Sequence, residues 1–169
     1  MSYQLTVTKR FDLCIAHNLY GHNGKCKFIH GHNYKMDVTV ISKYLAKVNT
    51  HSQDRLGSSY GMIVDFKDLK DIINSVIVDK YDHSFIVWAN ATKLTGIPEI
   101  DNAIKNMKNA DTLKDYNIHL VDYRPTAENM CIKFAEEINE VLEDQHKMYK
   151  LKRLRIYETD DSYVEWEAI

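Results

Sequence analysis

Alternating apolar and polar positions predict two long strands near the start of the chain. From Leu5 to His17 the odd positions are apolar up to the final histidine, with the single exception of Lys9. From His30 to Val40 the same period of two returns, and the apolar side chains now occupy the even positions. This period is typical of half-buried strands, whose alternate side chains face the core.

The rest of the chain predicts two main helices and several shorter elements. Asp65 suits the N-cap of a helix whose apolar positions follow helical spacing and which ends near Lys80. Thr126 suits the N-cap of a second helix with an apolar stripe on one face. The shorter patterns predict strands at 61–66, 118–123 and 154–159, an edge strand at 163–166 and a helix at 99–107.

The order of these elements predicts an α+β domain. It favours a four-stranded antiparallel sheet with two amphipathic helices packed on one face. The 169 residues suffice for one core but not for two, so we expect a single domain over residues 1–169. The segments near 43–60 and 88–117 are polar and interrupt this pattern, and we interpret them as insertions.

Composition and charge exclude some classes of partner. A formal net charge of -2 without a basic block argues against nucleic acid and membrane surfaces as partners. No run approaches the roughly 20 apolar residues of a membrane-spanning helix. The three cysteines are odd in number and widely spaced, which favours a reducing compartment. We therefore expect a cytoplasmic protein that binds neither nucleic acid nor membrane.

Three histidines fall on the apolar faces of the first two strands. His17 shares the parity of the buried positions of its strand, and His30 and His32 point to one side because a single glycine separates them. If the strands pair antiparallel, the three imidazoles meet at one end of the sheet. Sheltered imidazoles are costly without partners, and a metal ion supplies them. The spacing therefore predicts a metal site.

Further polar residues belong to the same candidate site. Cys26 lies within the stretch that carries the three histidines, and Asp82-His83 follows the first main helix directly. Glu158 shares the parity of the apolar Leu154 and Ile156, and a carboxylate on a buried face needs an explanation.

These motifs together resemble the 6-pyruvoyl-tetrahydropterin synthase family. The resemblance spans nearly the whole chain and keeps the order of the family's motifs. Three residues between the cysteine and the His-Gly-His run are similar to the bacterial 6-carboxy-tetrahydropterin synthase branch of queuosine (7-deazapurine) biosynthesis. The matching positions are His17, the run from Cys26 to Tyr34, residues 61–66, Asp82-His83, residues 125–129 and Glu158-Thr159.

The resemblance implies a zinc-dependent lyase. Its substrate would be 7,8-dihydroneopterin triphosphate, and its products 6-carboxy-5,6,7,8-tetrahydropterin, triphosphate and acetaldehyde. It also implies the tunnelling fold, in which sheets join into a barrel within a homohexamer, a dimer of trimers with active sites at subunit interfaces. The implied residues are His17, His30 and His32 as Zn²⁺ ligands, Cys26 as base, Asp82 and His83 as proton relay, Glu158 as pterin anchor, and Thr126 and Glu128 as pocket residues.

Several alternatives stay open on the sequence. The reaction could instead be the pyruvoyl-forming one, without acetaldehyde, or the chain could be a non-catalytic zinc- or pterin-binding module. Cys26 could be a fourth ligand in a closed structural zinc site. Asp82-His83 could be an ordinary helix terminus, and Glu158 could form an ion pair with Arg155 or Arg124.

Other histidines and basic residues carry weaker predictions. We interpret His22, His51, His119 and His146 as surface residues. The triphosphate could be bound by Arg10, Lys25, Lys27 or Lys35, and no glycine-rich phosphate loop helps to choose among them.

Overall fold

The computed structural model describes residues 4–42, 62–107, 110–146 and 149–169, so the predicted insertion at 43–60 lies outside the described residues. Within them, six strands form one mixed sheet in the order β4-β3-β1-β2-β5-β6. The strands are β1 (Val7–His17), β2 (His30–Ser42), β3 (Ser84–Trp88), β4 (Ile118–Val121), β5 (Tyr149–Tyr157) and β6 (Tyr163–Glu167).

The two predicted main helices are present, with the predicted caps. The side chain of Asp65 accepts a hydrogen bond from the Lys67 amide, and that of Thr126 accepts one from the Asn129 amide. None of the described helices is long and apolar enough to cross a membrane. The helices are α1 (Phe66–Ile73), which continues through a π-helical stretch (Asn74–Val78) into α2 (Asp79–Tyr81), then α3 (Pro98–Asn106), α4 (Ala110–Asp115) and α5 (Ala127–Asp144).

The prediction of a four-stranded antiparallel sheet is wrong in strand number and direction. Strands β1, β2, β5 and β6 do pair antiparallel, but β3 joins the other edge of β1 in parallel and β4 joins β3 in parallel. The cause lies in the turn before β3. There Asp82 Oδ1 accepts from the Cys14 amide at 2.7 Å and the His83 amide donates to the Cys14 carbonyl at 2.7 Å. These two hydrogen bonds place the start of β3 next to β1.

The predicted strand at 61–66 is also wrong for the described residues. Residues 62–65 form no ladder, and Phe66 already belongs to α1. Val64 is nevertheless buried at 4% exposure, because the apolar segment packs on the core without pairing to a strand. A short apolar run alone does not distinguish these two arrangements.

The main core lies between the antiparallel strands and the helices α1 and α5. Leu13 of β1, Met36 of β2 and Leu154 of β5 face it, and Ile73 and Phe134 cover them from the helices. The alternation along β1 and β2 thus follows the predicted parity.

A second, smaller core corrects the prediction that helices lie on one face only. Phe85 and Val87 of β3 point to the face opposite Ile86, and they pack with Leu94 and with Ile104 of α3. The predicted insertion at 88–117 therefore contributes helices and covers the second face of the sheet at the β3–β4 edge.

Candidate active site at a three-histidine cluster

The three predicted histidines meet at one end of the sheet. His17 pairs with His30 across the β1–β2 ladder, and His32 pairs with Ile15 two positions away. All three side chains therefore point to the same face. One ring nitrogen from each lies within 4.8 Å of the others, and His17 is only 1% exposed.

Backbone carbonyls fix the orientation of two of the rings. His17 Nδ1 lies 2.7 Å from the Pro125 carbonyl oxygen, and His30 Nδ1 lies 2.7 Å from the Phe28 carbonyl oxygen. A carbonyl only accepts, so each Nδ1 carries the proton and each Nε2 keeps a free lone pair. Burial lowers the pKa of His17, which favours the neutral imidazole that binds metals.

The cluster fits a metal ion on its own geometry. Nε2 of His30 and Nε2 of His32 are inaccessible to solvent and have no hydrogen-bond partner among the described residues. Buried polar atoms without partners are uncommon and indicate an absent ligand. Three imidazoles, two of them oriented by backbone carbonyls, are a donor set suited to zinc.

Glu158 and Tyr34 border this cluster. The β2–β5 register pairs Lys35 with Tyr157, so Tyr34 and Glu158 come next to each other one step further on. The Tyr34 hydroxyl donates to Glu158 Oε1 at 3.3 Å and lies 3.3 Å from His17 Nε2. Glu158 Oε1 is also 3.3 Å from His32 Nε2, but this contact lacks the geometry of a hydrogen bond. Burial raises the pKa of Tyr34, and Glu158 raises it further, so the phenol stays protonated.

A cavity of about 440 Å³ opens beside these residues. Its walls come from the loop after β1, the start of α5 and the β5–β6 turn. A volume of this size suits a small-molecule ligand. Four residues predicted from the sequence line it, namely Cys26, Thr126, Glu128 and Glu158.

Two of the alternatives find no support in the described residues. Cys26 lies on a 3₁₀ turn (Lys25–Lys27) and is not part of the group of potential metal ligands found there. Glu158 forms no ion pair with either arginine. Arg155 pairs with Glu165 at 2.6 Å, and Arg124 donates to backbone carbonyls.

Asp82 and His83 lie away from this cavity. Asp82 Oδ2 is 2.8 Å from His83 Nδ1, and the His83 side chain is 78% exposed. Burial acts to raise the pKa of Asp82, but the hydrogen bonds from Cys14 and His83 outweigh it, so this pKa is lowered. The imidazole borders a different cavity, of about 280 Å³, together with Cys14 and Asn33, which point to the opposite face of the sheet from the cluster.

Sequence reasoning missed three residues of the site. Arg124 and His22 line the 440 Å³ cavity, where His22 is exposed as predicted, and Tyr34 links Glu158 to His17. The parity of Tyr34, which it shares with His30 and His32, was the available signal. The surface prediction for His119 is only partly right, because the residue is half-buried, its ring lies 5.0 Å from that of Tyr81, and burial lowers its pKa.

Residues 6–168 match the profile of the family described as 6-pyruvoyl tetrahydropterin synthase. The chain belongs to this family. Curated proteins of known name are similar to this chain. The 6-carboxy-5,6,7,8-tetrahydropterin synthase from Haemophilus influenzae is 30% identical over 161 residues, which are 95% of this chain and 97% of that protein. The protein of the same name from Rickettsia bellii is 28% identical over 158 residues, 94% of this chain and 96% of its own.

Solved structures share the fold of this chain. An uncharacterized protein from Wolinella succinogenes superposes with a TM-score of 0.69 at 20% identity, over 98% of this chain and 99% of its own. The 6-pyruvoyl tetrahydropterin synthase of Plasmodium falciparum superposes with a TM-score of 0.63 at 16% identity, over 99% of both chains.

Proposed function

We propose that the protein is a zinc-dependent lyase that converts 7,8-dihydroneopterin triphosphate to 6-carboxy-5,6,7,8-tetrahydropterin, releasing triphosphate and acetaldehyde. The observation that carries this proposal is the cavity beside the histidine cluster. The Cys26 thiol, the Glu158 carboxylate and the Thr126 N-cap of α5 all line it. The curated relatives named for this product, similar over nearly their whole length, support the choice of reaction.

The metal would be held by His17, His30 and His32. Three protein ligands leave one position open for the substrate, as a catalytic zinc site requires. Bound there, zinc supplies Lewis acidity that makes neighbouring hydroxyl and C–H protons of the substrate side chain easier to remove.

Cys26 and Glu158 divide the remaining chemistry. Cys26 is half-buried in the wall of the cavity, and we assign its thiolate to proton abstraction from the substrate side chain. The Glu158 carboxylate accepts two parallel N–H groups, those of the pterin 2-amino group and its ring nitrogen. Tyr34 holds the carboxylate in place, and Thr126 and Glu128 line the same cavity.

Asp82 and His83 require a neighbouring copy of the chain if they act in catalysis. The carboxylate orients the imidazole, but the exposed ring lies outside the cavity of its own chain. We assign the pair to the cavity of an adjoining subunit, in the homohexamer that the resemblance implies. We also propose a cytoplasmic location, because the three widely spaced cysteines favour a reducing compartment.

The triphosphate has two cationic candidates beside the thiol. Arg10 is already paired with Asp37 at 2.6 Å, and Lys35 with Asp160 at 2.5 Å. Lys25 and Lys27 are exposed and flank Cys26 directly. We assign the phosphate chain to these two lysines.

Product analysis tests the proposal. The zinc-loaded protein is incubated with dihydroneopterin triphosphate, and the pterin and the volatile product are identified by mass spectrometry. We expect a 6-carboxy pterin and one equivalent of acetaldehyde. Cys26→Ala should abolish turnover, whereas Cys131→Ala, the same change of a thiol in the main core, should retain it.

Other outcomes assign the alternatives. A pyruvoyl pterin without acetaldehyde identifies the chain as the other enzyme of the family. Zinc and pterin binding without turnover, unchanged in Cys26→Ala, identifies a non-catalytic binding module. Either result refutes the proposed reaction.

A further inference from the structure

Arg124 connects two parts of the candidate site that are far apart in sequence. Its Nη2 atom donates to the carbonyl oxygens of Leu19 and Tyr20, at 3.2 Å each. Both carbonyls belong to the loop between β1 and β2, which carries Cys26. The guanidinium therefore ties this loop to the segment that leads into α5.

The loop transmits this contact to Cys26 through one residue. The Leu19 amide donates to the Cys26 carbonyl at 2.7 Å, while the Leu19 carbonyl accepts from Arg124. The same carbonyl also accepts from the His22 amide at 2.9 Å, which closes the turn. Leu19 is thus hydrogen-bonded to Cys26 through its amide and to Arg124 through its carbonyl. A displacement of the Arg124 side chain would therefore shift Leu19, and with it the position of Cys26 relative to the cavity.

The backbone around Arg124 is itself fixed. Its carbonyl accepts from the Asn129 side chain at 2.9 Å and from the Thr126 amide at 2.8 Å. The next residue, Pro125, provides the carbonyl that orients His17. Two consecutive residues therefore position the loop of the proposed base and a proposed metal ligand.

The position of the Arg124 side chain carries an energetic cost. Arg124 Nε is shielded from solvent and has no hydrogen-bond partner within the described ranges. A buried donor without a partner is unfavourable, so the charge-assisted bonds of Nη2 must compensate for it. A solvated arginine could donate to water from every N–H group and would not need the two carbonyl contacts.

We propose that Arg124 is a positioning residue, which places Cys26 against the cavity and couples the Cys26 loop to the strand end that carries His17. Its role in turnover rests on the proposed function, but the contact itself does not. In this role Arg124 acts through Leu19, although its side chain also borders the cavity.

The test compares Arg124→Gln and Arg124→Lys in the full chain. Iodoacetamide labelling is followed by peptide mass analysis, which separates the three thiols. We expect Arg124→Gln to change the labelling rate of Cys26 at least about threefold, with kcat reduced about 10- to 100-fold and KM nearly unchanged, because small displacements of a reacting group are costly. Arg124→Lys should recover part of both values, since an ammonium also donates to two carbonyls.

Internal controls separate this role from general destabilisation. Cys14 lies on the other face of the sheet, so its labelling rate should not change. Cys131 is 2% exposed and becomes labelled only if the fold opens. If Arg124→Gln exposes Cys131, the lysine variant alone is used for the comparison. Zinc content should stay at one per chain, because the Pro125 carbonyl belongs to the backbone.

Two results would overturn the proposal. Unchanged Cys26 labelling and kcat in both variants would show that the contact has no effect on the thiol. A loss confined to KM, with weaker inhibition by inorganic triphosphate, would make Arg124 a substrate-binding residue. A wild-type chain without lyase activity would refute the proposed function instead, and the labelling rates would still test the contact.

Discussion

The buried Asp101 carboxylate gives a prediction whose magnitude follows from the structure. Asp101 is 5% exposed and lies in the first turn of α3. It accepts from the Thr95 amide at 2.7 Å, the Thr95 hydroxyl at 2.6 Å and the Leu94 amide at 3.2 Å. The Leu94 carbonyl in turn accepts from Asn18, the neighbour of His17. The carboxylate therefore fixes the turn at Leu94 and Thr95, and this turn contacts Asn18 at the end of β1.

Asp101→Ala leaves these donors buried without an acceptor. Each unsatisfied buried donor costs about 1–3 kcal/mol, and since the three share one acceptor we expect a loss of about 3 kcal/mol in the free energy of unfolding. With a urea m value of about 2 kcal/mol/M, the midpoint should fall by about 1.5 M. Asp101→Asn keeps one acceptor oxygen and should lose about half as much.

Glu99→Ala is the matched control, because Glu99 lies in the same first turn and is exposed. It should cost about 0.3–1 kcal/mol, the contribution of an exposed charge at a helix terminus. Equal losses in Glu99→Ala and Asp101→Ala would refute the argument from burial.

The pH dependence provides a second check. Burial acts to raise the pKa of Asp101, but the hydrogen bonds from Thr95 and Leu94 outweigh it, so the folded-state pKa is lowered. A lowered pKa contributes stability that is present above the unfolded value of about 4 and is lost as the pH falls through the folded value. The difference between the wild type and Asp101→Asn should therefore be constant near neutral pH and shrink below about pH 4.

Two further predictions concern the candidate site, and a third concerns the reactivity of the three thiols. If the proposed zinc is bound, its removal by a chelator should lower the melting temperature by about 5–10 °C, because an ion held by the three histidines binds only the folded chain. His30→Ala should melt alike with and without chelator. Glu158→Gln should weaken pterin binding in calorimetry about 10- to 100-fold while zinc content stays constant, and unchanged binding would exclude the pterin anchor. Burial raises the pKa of Cys131 to about 11, so iodoacetamide at pH 8 should label Cys14 and Cys26 and leave Cys131 unmodified.

The histidine cluster was predictable because local pattern determines it. Parity along β1 and β2 fixed the face of each imidazole, and an antiparallel pairing was enough to bring them together. Glu158 followed from the same logic, although β5 ends one residue earlier, at Tyr157. Capping residues Asp65 and Thr126 marked the helix starts correctly, since a cap is a local hydrogen bond.

The parallel edge of the sheet was not predictable from such patterns. Strand β3 is short and has apolar side chains on both faces, so it carries no period of two. Its place is set by the contacts of Asp82 and His83 with Cys14, and His83 reaches them with a positive φ of 58°. Arg124 was missed for a related reason, because its partners are carbonyls about a hundred residues away, and every residue type offers a carbonyl.

The β1–β2 ladder has a consequence for the order in which the molecule assembles. All three histidines lie within the first 32 residues, and closing so short a segment has a low entropic cost. The contacts that complete the cavity span far more chain, 108 residues from His17 to Pro125 and 124 from Tyr34 to Glu158. During synthesis the end of the sheet that carries the histidines can therefore close while the ribosome still holds the C-terminal half, and the Glu158 side of the cavity forms only when β5 arrives.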